Sequence, residues 1–316
     1  MNQDYIKPDN WSIIEEGFDA SRVKSSESLF SIGNGAMGQR ANFEEHYSGE
    51  TFQGSYIAGV YYPDKTRVGW WKNGYPEYFA KVLNAPNWIG INIIVDGEPL
   101  DLNTCKSVDS FKRELNMKEG WLSRYFIATL SNDVQVEVSV KRFLSLDLDE
   151  VGTIKYEIKP VNKDAEIIFQ PYLDSGITNE DSNWDDKFWD TKNVSHEKNQ
   201  AFIEAKTMKT NFHTCTFMES SVFINGEAVS NQPTTNSQVN YVSFSYKQAV
   251  SKGETYAIHK FGGYTVDRNH DKAKLVSAAK AILEKTSKLG FNGLLEMQKH
   301  AWANIWNMSD ITINGD

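Results

Sequence analysis

Between Asn179 and Asp190 the chain reads NEDSNWDDKFWD, with Glu180, Asp181, Asp185, Asp186 and Asp190 set around the indoles of Trp184 and Trp189. Carboxylates can exchange protons with a leaving group or a water, and indole faces stack on sugar rings, so this composition suits glycoside chemistry. An inverting glycosidase places a protonated acid and a base about 6.5–9.5 Å apart with a water between them. Here the acids crowd one turn. The nearby cations, Lys187 and Lys192, form neither a glycine-rich cradle nor an arginine fork for phosphate. Two readings stay open. One is a solvated acidic loop with Trp184 and Trp189 packed beneath it. The other is a loop lining a substrate pocket through Asn179, Glu180, Asp181, Trp184, Asp185, Phe188 and Trp189. A self-contained catalytic pair is the least favoured reading, and no catalytic residue is assigned.

The remaining candidates are weaker. Gly33, Gly35 and Gly38 approximate G-x-G-x-x-G, but strand-like rather than helical patterning follows, so tight turns between strands are expected instead of a dinucleotide loop. Glu44 and Glu45 read as exposed loop acids. The six histidines are scattered without ligand spacing, so no metal site is expected. The segment 69–79, GWWKNGYPEYF, gathers Trp70, Trp71, Tyr75, Tyr78 and Phe79 as a buried corner or a sugar-stacking patch.

Composition narrows the class. The chain has 316 residues, 24% charged, with a net charge of −9. No basic run could neutralise phosphates, which argues against nucleic-acid binding. No apolar run reaches the ~20 residues of a membrane helix, so no membrane partner is expected. Cys105 and Cys215 lie far apart and read as reduced, buried thiols. The N-terminus has no apolar signal core, which suggests a cytoplasmic protein, or a periplasmic one whose signal has been removed.

These residues must be carried by strands. Period-two alternation runs through 122–130, 133–146, 153–160, 165–173, 221–227, 239–250 and 255–266, punctuated by turn pairs such as Asp96-Gly97 and Asn225-Gly226. The expected fold is mainly β, a large antiparallel two-sheet β-sandwich followed by a two-helix linker. The helical stripes are Leu275, Ala278, Ala279, Ile282, Leu283 and Leu289, then Leu294, Leu295, Ala301, Trp302, Ile305 and Trp306, with Gly290 as the stop and Asn292 as an N-cap. The stripes could pack on the sandwich, on each other, or on something after residue 316. Residues 309–316 show strand alternation.

Five stretches in order carry a resemblance: 33-GNGAMGQRANFEE-45, 54-GSYIAGVYY-62, 84-NAPNWIGINIIVDGE-98, 171-PYLDSGITNEDSNWDDKFW-189 and 302-WANIWNMSDITINGD-316. Together they resemble the N-terminal region of glycoside hydrolase family 65, which includes maltose, kojibiose, trehalose and nigerose phosphorylases and some α-glucoside hydrolases. The resemblance implies an N-terminal β-sandwich over 1–267, a helical linker over 268–308, and the start of an (α/α)6 catalytic barrel at 309–316. It places the general acid and the phosphate-holding residues in that barrel, so no residue here inherits them. It further implies a parent enzyme that cleaves an α-linked glucose disaccharide with inversion. Phosphorolysis is the leaning, with inorganic phosphate as co-substrate and no other cofactor. Hydrolysis is the alternative, and a stand-alone sugar-binding module is a second class. A homodimer is expected by the same resemblance.

Overall fold

Alternation decides the architecture. The structure, a computed structural model, describes residues 5–66, 74, 76–179, 187–230, 232–313 and 315. Val134, Val136, Val138 and Val140 are all buried, and Ile154, Tyr156 and Ile158 repeat the pattern next door. Their strands, Gln135–Leu144 and Val151–Pro160, run antiparallel with Val138 opposite Ile158 and Val140 opposite Tyr156. Both lie in an eleven-stranded antiparallel sheet. Its order is Ile6–Pro8, Ser12–Glu16, Ser107–Asn116, Trp121–Thr129, Gln135–Leu144, Val151–Pro160, Tyr256–Val266, His213–Ile224, Gln200–Thr207 and Trp189–Glu197, with Glu227–Ala228 paired to His213–Ile224. A five-stranded sheet, ordered Thr234–Ser237, Tyr241–Val250, Ala165–Asp174, Ile91–Val95 and Glu98–Pro99, forms the second layer. The main core joins Phe126, Val138 and Tyr156 of the first sheet to Ile93, Phe169 and Phe244 of the second. This is the expected sandwich, closed by side chains that alternate inward from both layers.

Turn chemistry follows the sequence. Asp96 and Gly97 have φ of 49° and 82°, and Asn225 and Gly226 have 48° and 86°. Two successive positive φ values are what a two-residue hairpin turn matching the strand twist requires. The glycine-rich N-terminal stretch forms a small antiparallel sheet of Ile32–Gly33, Met37–Gln39 and Ser55–Ile57, not a nucleotide-binding loop. A further hairpin pairs Tyr61–Lys65 with Tyr78–Val82.

Two glycines open a slot in the large sheet. Gly152 and Gly262 face each other across adjacent strands. A Cβ on Gly152 would sit 2.5 Å from Trp88 Cη2, and one on Gly262 would sit 2.7 Å from Trp88 Cε3. The buried indole of Trp88 therefore occupies the space that two side chains would fill.

The C-terminal helices pack on the sandwich itself. Helical residues run from Leu275 to Ser309, broken at Gly290, where φ is 64° and ψ is 177°. That backbone region is essentially restricted to glycine, so Gly290 separates two helices as expected. Asn292 is not a cap; it lies within the second helix, which resumes immediately after Gly290. Leu275, Ala279, Leu283, Phe291 and Leu294 bury against Phe143, Val151, Phe202, Cys215, Phe217 and Phe261 on the outer face of the large sheet. Ala278 and Ile282 flank that stripe, while Leu289 and Ile305 are exposed. The alternation after Ser309 forms no strand among the described residues, and Ile311 and Ile313 face solvent.

Candidate functional site

The seven residues singled out around 179–190 divide three ways. Glu180, Asp181, Trp184 and Asp185 lie outside the described residues, as do Trp70, Trp71 and Tyr75 of the aromatic segment. Phe188 and Trp189 are core residues, 3% and 5% exposed. The Phe188 ring meets Tyr62 edge-on at 4.5 Å, and Trp189 Nε1 donates to the Asn84 carbonyl at 2.7 Å. Their faces pack in the core at the end of the acidic stretch. Asn179 lines a groove.

That groove has a volume of about 320 Å³ and is lined by Arg40, Phe52, Gln53, Tyr56, Val82, Asn84 and Asn179. Three segments meet there: the small N-terminal sheet, the end of the Tyr78–Val82 strand, and the chain leaving Ala165–Asp174. Buried amides hold them together. Asn179 Nδ2 donates to the Val82 carbonyl at 3.0 Å, and its Oδ1 accepts from Asn84 N at 2.9 Å. Asn84 Oδ1 accepts from Ser55 N at 3.0 Å, while Nδ2 donates to Gln53 Oε1 at 3.0 Å and to the Thr178 carbonyl at 3.1 Å. Gln39 extends the lattice: its Oε1 accepts from Ser55 Oγ at 2.6 Å, and its Nε2 donates to the Gly54 carbonyl at 2.8 Å. Asparagine and glutamine suit this task because each carries donors and an acceptor on one planar group.

Arg40 fixes one wall. Its Nε donates to the Phe52 carbonyl at 2.9 Å and its Nη2 to the Lys24 carbonyl at 3.2 Å. Buried Glu27 lies 3.8 Å from Nη2 and accepts from Phe52 N at 2.8 Å and from Thr51 Oγ1. The wall is thus set by charge-assisted bonds beneath the surface. Among the described residues the lining holds amides, a guanidinium, a phenol and apolar carbons, but no carboxylate or histidine. These groups can grip hydroxyls. The described residues contain no cluster of three or more potential metal ligands.

Glu44 and Glu45 require a correction. They are not exposed loop acids but are 4% and 3% exposed. Glu44 bridges Arg124 Nη2 and Arg142 Nη1, each at 2.7 Å, and Glu45 pairs with both Arg124 terminal nitrogens. Burial works against the Glu44 charge, but Arg142 and Arg124 outweigh it and hold the carboxyl below its usual range. Burial likewise opposes the Arg124 charge, and Glu45 and Glu44 more than restore it. Glu44 is therefore held as an anion, and the oxygens of both carboxylates are engaged by arginine, a structural brace and not an acid–base pair. The arginines that reveal this stand roughly eighty to a hundred positions away in sequence, on strands whose alternation would put them inward.

Lys260 is a further buried cation. It is 0% exposed and donates to the carbonyls of Gly90 and Tyr172 at 2.8 and 2.9 Å, tying the two sheets together. Burial pushes its ammonium well below the ordinary lysine range. The free thiols are inert by the same cause: burial raises Cys105 to about 11 and raises Cys215 further.

Against known proteins, the family described as glycosyl hydrolase family 65, N-terminal domain, matches residues 13–305. A maltose phosphorylase of Bacillus subtilis is 39% identical over the whole chain, and an α,α-trehalose phosphorylase of Thermoanaerobacter brockii is 30% identical over 98% of it. A solved structure from the human microbiome, provisionally assigned as a kojibiose phosphorylase, superposes with a TM-score of 0.86 at 25% identity over 98% of the chain. The chain spans 41%, 41% and 40% of the lengths of these three proteins.

Proposed function

The chain belongs to glycosyl hydrolase family 65, as its N-terminal domain, and from that premise we propose that it is the framing part of a disaccharide phosphorylase. In this reading the Arg40–Asn84–Asn179 groove forms one wall of a sugar pocket. A catalytic barrel outside these residues supplies the general acid and holds phosphate. The reaction is inverting phosphorolysis of an α-linked glucose disaccharide, maltose first, with inorganic phosphate as the attacking co-substrate. The observation that carries the reading is the 39% identity to a maltose phosphorylase across the full chain, set beside a groove whose described lining offers hydroxyl-binding groups. A homodimer in the cytoplasm belongs to the same proposal.

The test is release of glucose and glucose 1-phosphate from maltose, kojibiose, trehalose and nigerose, with and without phosphate. It is run on the 316-residue protein and on the complete reading frame that contains it. We expect no turnover by the 316 residues and phosphate-dependent release from maltose by the longer chain. Phosphate-independent glucose release would make the parent a hydrolase. Turnover by the 316 residues alone would overturn the division of labour.

A further inference from the structure

The W-x-x-x-W pair of the last helix takes no part in the groove described above, yet it helps build a second one. Trp306 and Trp11 meet with ring centroids 5.1 Å apart in an edge-to-face contact, and Trp302 stacks on Trp306 at 5.8 Å. The indoles are fixed in place. Trp306 Nε1 donates to the Met117 carbonyl at 3.1 Å, and Trp302 lies so close to Gly120 that a Cβ there would fall 1.8 Å from its Nε1. Gln298 locks the same turn by donating to the Gly120 carbonyl and accepting from Leu146 N, both at 3.0 Å. Trp11 and Trp306 line a groove of about 470 Å³, within the range that holds small ligands. Its rim carries Lys118, Glu119, His300 and Asn307.

This chemistry selects its ligand class. A phosphate site would need an excess of cations, and a helix-binding groove would be apolar throughout. Here both signs of charge, Lys118 and Lys299 with Glu119 and Glu296, line the groove beside the Trp11 and Trp306 indoles, which suits a neutral polyhydroxyl ligand offering C–H faces to aromatic rings and hydroxyls to both donors and acceptors. We propose that this groove is a saccharide-binding site separate from the Arg40–Asn84–Asn179 groove, and that it takes α-linked gluco-oligosaccharides. The sugar class rests on the geometry; the α-gluco assignment rests on the proposed function.

The site is tested by binding, without turnover, so an inactive parent enzyme leaves it standing and an empty groove leaves the phosphorylase reading standing. Indole N–H resonances of the 316-residue protein are followed while maltotriose is added, with cellotriose as the β-linked comparator. We expect the Trp11 and Trp306 signals to shift saturably with about millimolar affinity, while buried Trp88 and Trp189 stay still. Trp11→Ala should weaken binding about tenfold. Asn307→Ala, at an exposed position, gives the same test if Trp11→Ala fails to fold. No saturable shift up to about 50 mM, or affinity unchanged in the variants, would overturn the site. Equal binding of cellotriose would overturn the α-linked assignment.

Discussion

Asn84→Ala tests whether buried amides hold the candidate groove together. The side chain is 4% exposed and makes three hydrogen bonds, to Ser55 N, Gln53 Oε1 and the Thr178 carbonyl. Its own backbone bonds, to Asn179 and Trp189, survive the substitution. Ser55 is fully buried, so its N–H loses its acceptor where water cannot replace it. An orphaned buried donor costs about 1–3 kcal/mol, and the space left by the amide adds about 1 more, giving a loss of about 2–4 kcal/mol. Gln53 is half-buried and can turn to solvent, so it contributes little. Urea unfolding of the 316-residue protein reads this as a lowered midpoint at constant slope. Asn84→Asp separates the contributions: it keeps an acceptor for Ser55 but turns a second oxygen toward Gln53 Oε1 and the Thr178 carbonyl. It should recover part of its loss on acidification, as the new carboxyl takes a proton. A loss below about 0.5 kcal/mol in Asn84→Ala would refute the argument that this lattice holds the groove.

Gly152→Ala and Gly262→Ala should each destabilise by about 1–3 kcal/mol through overpacking against Trp88, and Trp88→Phe should relieve part of that loss; calorimetric midpoints of the single and double variants check this. Arg124→Met strands Glu45 and half of Glu44 in the core, with an expected loss of about 3–5 kcal/mol by urea titration at neutral pH. Burial lowers His259 to about 4, so the folded state resists protonation that the unfolded chain accepts near 6.5. Stability should therefore fall as pH drops from about 6.5 toward 4, and His259→Phe should flatten that part of the profile; an unchanged slope in the variant would remove His259 as its source.

The fold was legible where one physical rule governed a long segment. Alternation marked Gln135–Leu144 and Val151–Pro160 because both faces have distinct surroundings, and Asp96-Gly97 marked a hairpin because few pairs tolerate two positive φ values. The strands Trp189–Glu197 and Gln200–Thr207 escaped notice. The first alternates weakly at the sheet edge, where few side chains are buried, and the second buries Ala201, Phe202 and Ile203 consecutively because the helix covers its outer face. The short helix Val23–Leu29 has only seven residues, too few for a stripe to show. The site was harder still. Asn179 was identified from the acidic loop beside it, but its partners Asn84, Gln53 and Arg40 are distant in sequence and carry no spacing signal. Glu44 and Glu45 were misread for the same reason: a dipeptide of acids looks solvated until the arginines that bury it are known.

The central seam of the large sheet joins Val151–Pro160 to Tyr256–Val266. Everything on one side of it comes from earlier in the chain, and everything on the other side comes after Ala165–Asp174 has crossed to the second layer. The seam closes a loop of roughly a hundred residues, with an entropy cost of about 4 kcal/mol before its contacts form. During synthesis the first half-sheet must wait, its Val151–Pro160 edge bare, until the chain beyond Tyr256 emerges. A truncation ahead of that strand would leave two half-sheets with open hydrogen-bonding edges, able to pair with other chains. The most hazardous state of this domain is therefore an unfinished one, and its last strand acts as the closure that ends the exposure.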